Sequence, residues 1–162
     1  MSPLMTKNNQ GFNLLEITIV LFIVGILAAI SAPNFLVWYR RNQLNQSVSE
    51  VKGALIQAQE EAIRRSEECD VDITNNTISS CISTRTLPEL INVGIDTDGD
   101  TPIRFNLRGV LVDEDGEEKE ENYTITFSSE DVPEDLCLRV FSPLGIIRQG
   151  VINNGNGACV QP

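Results

Sequence analysis

The sequence predicts an α+β protein: a long N-terminal α-helix, transmembrane in its first half and amphipathic in its second, packed on an antiparallel β-sheet head. Three observations predict it. Residues 17–32 read ITIVLFIVGILAAISA without a charge. Leu44, Val48, Val51, Leu55, Ala58 and Ala62 then recur at steps of three and four, which is a helical stripe. From Cys69 onward apolar and polar residues alternate between turn signals, the pattern of half-buried strands.

At 162 residues the chain suits one head plus whatever precedes it. Residues 12–15 and 33–38 extend the uncharged run on both sides, giving enough length for a membrane span of about 20 mainly apolar residues. Trp38 and Tyr39 stand where an interfacial aromatic belt would, followed by Arg40 and Arg41. By hydropathy the run also suits a secretory signal peptide cut at the small residues Ala29-Ile30-Ser31, before Ala32. Glu16 argues against both a signal and a plain anchor. An ionised side chain inside a span costs about 2.5–3.5 kcal/mol at its centre and needs a partner.

The stretch Gly11-Phe12-Asn13-Leu14-Leu15-Glu16, followed by ITIVLFIVGILAAISAPNF, resembles the processing and assembly segment of type IV pilins and type II secretion pseudopilins. The resemblance implies that a prepilin peptidase cuts after Gly11 on the cytoplasmic side and methylates the new amine of Phe12. It implies that Glu16 pairs with the cationic amine of a neighbouring subunit's Phe12, so the costly carboxylate has a purpose. Pro33 stands where the family has a helix-kinking proline, in keeping with its ring clash and missing amide proton. Asn13 replaces the usual threonine. Lys7 on the inner side is opposed by Arg40 and Arg41 on the outer, against the positive-inside bias; the cysteines and the leader place the head outside. The implied organisation is a cleaved leader (1–11), a transmembrane and assembly helix (12–38), an amphipathic helix (39–68) and a β-rich head (69–162). The implied partners are the peptidase, other pilin or pseudopilin subunits, an inner-membrane assembly platform and the membrane itself.

A helix continuous to Glu68 would be about 80 Å long at ~1.5 Å per residue, with weak points at Gly25, Pro33 and Gly53. Its stripe is expected to pack on its own head. Strands are expected at 69–73, 78–83, 103–112, 122–127, 136–141 and 146–152, and a further one at 90–95. Turn signals are Asn75-Asn76, Asp98-Gly99, Asp115-Gly116 and Asn154-Gly155. The acidic run at 113–121 suits a solvated hairpin tip.

Four cysteines, Cys69, Cys81, Cys137 and Cys159, fall into two sequence-local pairs. In an exported head an even count reads as disulfides, and the pairing 69–81 with 137–159 is preferred because each could staple one hairpin. A four-thiolate zinc site and unrelated buried thiols are the alternatives, but no Cys-x-x-Cys spacing is present.

The chain has 12 basic and 23 acidic residues, a net charge of -11, and no histidine. Histidine-dependent nucleophile pairs, general bases and imidazole metal ligands are thereby excluded. No phosphate loop or nucleophile elbow is present, and no enzyme activity is expected. From Tyr39 onward the count is 11 basic and 22 acidic, which opposes direct binding of nucleic acid. Asp96, Asp98 and Asp100 alternate as calcium ligands can, although glycine falls fourth and Leu107 stands where an EF-hand has its glutamate. Calcium is the one cofactor this spacing suggests, beside a plain acidic turn.

Two further segments, residues 54–65 ending in Ala62-Ile63-Arg64-Arg65 and Val140-Phe141-Ser142-Pro143-Leu144-Gly145, resemble motifs of the GspH/FimT class of minor pseudopilins. Some members of that class bind DNA through arginines near the C-terminus. Here residues 151–162 hold no Lys or Arg, while Arg139 and Arg148 flank the late hairpin. The expectation is a minor pilin or pseudopilin, held in the inner membrane with its head outside until assembled into a filament. The competing expectations are a membrane-anchored periplasmic binding or enzymatic domain, and an adhesive or DNA-binding tip protein.

Overall fold

The computed structural model describes residues 13–74, 76–89, 91–96, 102–130, 132–153 and 157–161, apart from the side chains of residues 30–34 and 96. The chain divides into two compact units, Met1–Val37 and Trp38–Pro162. One helix, α1 (Leu14–Arg65), contributes to both.

In the second unit the apolar stripe of α1 is the wall of a single core. Leu44, Val48, Val51, Leu55, Ala58 and Ala62 are all essentially inaccessible, as their helical spacing requires. The helix ends earlier than residue 68. Ser66 takes φ 56° and the Glu67 amide donates to the Ala62 carbonyl, a Schellman-type stop that leaves residues 67–68 outside. Arg64 and Arg65 occupy its last turn, where cations offset the helix dipole.

The head holds two five-stranded antiparallel sheets rather than one. The first has the order β3 (Thr84–Thr86), β2 (Thr77–Ser80), β1 (Cys69–Thr74), β5 (Ile103–Phe105), β6 (Leu111–Val112). The second has the order β10 (Cys159–Val160), β9 (Ile146–Ile152), β8 (Leu136–Phe141), β7 (Tyr123–Ser128), β4 (Asn92–Asp96). Val71, Ile73, Ile78, Ile103 and Phe105 of the first sheet share the core with Tyr123, Ile125, Phe127, Leu138 and Val140 of the second. The alternating burial of β1 and β7 is the period-two pattern that identified them.

The strand expected over 103–112 is two strands. Asn106 Oδ1 accepts the amides of Arg108 and Val110, and Gly109 sits at φ 74°, so the chain reverses between β5 and β6. The 78–83 strand likewise stops at Ser80, whose hydroxyl accepts the Ser83 amide and turns the chain into β3. Strand β10 was not anticipated, because two residues carry no periodicity.

Disulfides join Cys69 to Cys81, with Cα atoms 5.4 Å apart, and Cys137 to Cys159, 5.9 Å apart. The first closes the open end of the β1–β2 hairpin. The second does not staple a hairpin: it ties β8 to β10 across the intervening β9, over Gly150, the register partner of Cys137. A Cβ at Gly150 would overlap the Val160 carbonyl oxygen and come 3.1 Å from Cys159 Sγ. Gly150→Ala is therefore expected to destabilise the oxidised head by about 2 kcal/mol, the usual scale of overpacking, measured by urea unfolding.

Candidate functional site

At its start α1 is capped by Asn13. The Asn13 carbonyl accepts the amides of Glu16 (3.0 Å) and Ile17 (3.2 Å), and its side-chain oxygen accepts that of Leu15 at 3.3 Å. Asparagine is among the best residues for this position, so the departure from threonine keeps the function of the cap. Capping by Asn13 puts Glu16 in the third helical position, where a carboxylate complements the positive end of the dipole. Glu16 thus serves the helix start through its own chain. Gly11 and Phe12 lie outside the described residues.

Beyond the cap, exposed apolar surface encircles the helix. Ile19, Val20, Leu21, Phe22, Ile23 and Val24 are consecutive and each is more than half exposed. At 3.6 residues per turn, six such residues point in every direction. A helix apolar all round is stable only when lipid or protein covers it, and an exposed surface of this extent marks an interaction site.

Among the described residues, no helix is long and apolar enough to cross a membrane. The described apolar turns from Ile17 to Ala29 reach about 20 Å at ~1.5 Å per residue, short of a hydrocarbon core of ~30 Å. The stretch that would complete a span includes residues 30–34, whose side chains, that of Pro33 included, are outside the described set.

On the head, the two segments that resemble GspH/FimT motifs meet. Gln59 Nε2 donates to the carbonyls of Leu144 (3.1 Å) and Gly109 (2.8 Å), so one amide from α1 holds the β8–β9 turn and the β5–β6 turn. The β8–β9 turn is further tied by the Leu111 amide on Pro143 O and the Ser142 amide on Asn122 Oδ1. Two residues after Gln59, the largely buried Glu61 accepts hydrogen bonds from both Arg64, at 2.6 Å, and Arg65. The bond from Arg64 holds the Glu61 carboxyl below the usual carboxylate range; burial opposes this and Arg65 reinforces it.

Of the proposed calcium ligands, Asp96 ends β4 but its side chain is outside the described residues, as are Asp98 and Asp100 entirely. Among the described residues no group of three acidic or cysteine side chains could hold a metal ion. The role of Gln59 had no sequence signal, since its acceptors are backbone carbonyls 50 and 85 residues away. The Asn13 cap did have one, an asparagine three residues before a glutamate.

Two fimbrial proteins of Pseudomonas aeruginosa are each 45% identical to this chain over 62 residues, which is 38% of this chain and 40% of theirs. Over that stretch the chain is similar to pilus proteins. A type IV major pilin protein, PilA of Myxococcus xanthus, is also 45% identical, over 51 residues that make up 32% of this chain and 23% of that protein. The chain thus spans at most about two fifths of the length of these curated relatives. No family model and no solved structure matches it.

The Glu61 cluster gives the head a pH dependence. Its folded pKa lies below the unfolded value, so the stabilisation is complete above about pH 4.3 and is lost as pH falls through the lower folded value. Urea unfolding of the parent and Glu61→Gln proteins should show the parent more stable near neutrality. The difference should shrink as pH falls below the ordinary glutamate value and vanish once the carboxylate is protonated in the folded state as well.

Proposed function

We propose that the chain is a minor pilin or pseudopilin subunit of the GspH/FimT class, built into a type IV pilus or a type II secretion pseudopilus. The observation that carries this reading is the capped helix whose apolar surface is exposed on every side from Leu14 to Ala29. Such a helix has no use in a free globular protein, and it suits a subunit that exchanges a membrane for the helices of its neighbours. In this reading a prepilin peptidase removes residues 1–11 and methylates Phe12. The subunit waits in the inner membrane on a single span with its head outside, and an assembly platform extracts it. The similarity to fimbrial proteins and to a major pilin supports the class. The Gln59 clamp between the two motif-bearing segments supports the subclass.

Glu16 then has two roles in sequence. In the single chain it complements the helix dipole; in the filament its carboxylate meets the methylated amine of a neighbour's Phe12, and neither charge is left unpaired among apolar side chains. The chemistry is assembly.

The test is intact mass and N-terminal sequencing of the protein recovered from membranes of cells with and without the peptidase. A peptidase-dependent start at methylated Phe12 is expected. A start at Ala32, or an uncut chain in both strains, sinks the proposal. Glu16→Ala is expected to be inserted and folded as the parent is, yet to fall at least tenfold in sheared filament fractions, the loss expected when about 1.4 kcal/mol of pairing is removed.

A further inference from the structure

On the face of the second sheet turned away from the core, two arginines stand directly opposite each other. Leu138 and Val140 turn inward from β8, so Cys137, Arg139 and Phe141 take the other face. The β8–β9 register sets Arg139 against Arg148. Like charges directly opposed in an antiparallel pair repel, and a sheet does not acquire such a pair for stability.

Neither arginine meets a carboxylate among the described residues. The Arg139 guanidinium lies 5.4 Å from the Phe141 ring centroid, and its Nε is buried without a hydrogen-bond partner. Arg148 donates only to the neutral amide of Gln161, at 3.1 Å. By contrast Arg41, Arg64, Arg65, Arg104 and Arg108 are all paired with Asp or Glu. In a chain with 23 acidic and 12 basic residues, two facing guanidiniums that meet no carboxylate among the described residues concentrate positive charge on this face.

We propose that Arg139 and Arg148 form a receptor for neighbouring carboxylates of an acidic protein segment, and that the segment is the run of residues 113–121 of a second copy of this chain. The guanidinium fork is matched to carboxylate oxygens, and two forks side by side take two such groups. The run offers Glu117, Glu120 and Glu121 on exposed positions, with Lys119 its one base. In its own head the run is held elsewhere: Glu118 pairs with Arg108, and the Glu114 carbonyl accepts from Arg104. A polyphosphate partner fits less well, because it draws its affinity from many cations and the surrounding head is strongly acidic. The choice of occupant rests on the assembly reading, which brings two copies together; binding itself does not.

The experiment uses the full chain in detergent and a fluorescently labelled peptide of residues 113–121, read by anisotropy. Saturable binding is expected, weakened about tenfold in Arg148→Gln, the size of one charge-assisted contact, and abolished in the Arg139→Gln/Arg148→Gln double variant. Arg85→Gln should bind as the parent does. Arg148→Gln should also melt no lower than the parent, since it relieves a repulsion. Absence of binding, binding indifferent to both arginines, or a lowered melting temperature with unchanged affinity would each overturn the proposal. Preferential, arginine-dependent binding of a DNA duplex overturns it in favour of a nucleic-acid site. Processing after Gly11 is measured separately, so failure here leaves the assembly reading standing.

Discussion

Everything in the head is organised around one packed face of α1. The stripe from Leu44 to Ala62 is buried against the inward faces of both sheets, and Ala54, Ala58 and Ala62 keep its later turns slim enough for close approach. Burying each larger aliphatic side chain contributes about 1.5–3 kcal/mol, so this contact outweighs any single polar interaction in the molecule. The polar contacts act on its margins. Gln59 leaves the same helix to fasten two turns, and the Cys137–Cys159 bridge holds a two-residue strand that could not persist by pairing alone.

The same helix carries two opposite surfaces along its length. Toward its end most of the apolar residues fill one buried stripe, with Ile56 and Ile63 outside it; toward its start they fill every direction and are exposed among the described residues. The physical difference is periodicity. A stripe at steps of three and four can be satisfied by one partner surface, whereas an all-round apolar helix demands surroundings on all sides.

Charge is distributed with similar economy. Most described arginines are neutralised by carboxylates of the same chain, including Arg41, which Glu134 meets at 2.8 Å. Arg85, Arg139 and Arg148 stand outside this scheme, and the last two share a sheet face where the register brings them together.

The sequence by itself determined the elements whose residues carry a period: the stripe of α1, the alternation of β1, β7 and β8, the uncharged N-terminal run, and the local grouping of the cysteines. It also held the chemistry of the helix start, since Asn13 and Glu16 interact with atoms within one turn of themselves. Only the tertiary structure decided what depends on distant neighbours. Strand β4 joins the second sheet and β5 the first, though few residues separate them, because pairing partners lie elsewhere in the chain. The break at Asn106 to Gly109 overrode a run of strand-forming residues, because turn hydrogen bonds and a positive φ outweigh alternation. The bridge across Gly150, the double acceptor of Gln59 and the facing arginines have no local signature at all. Each is a meeting of residues far apart in sequence, and only the packing of the sheets fixes which of them meet.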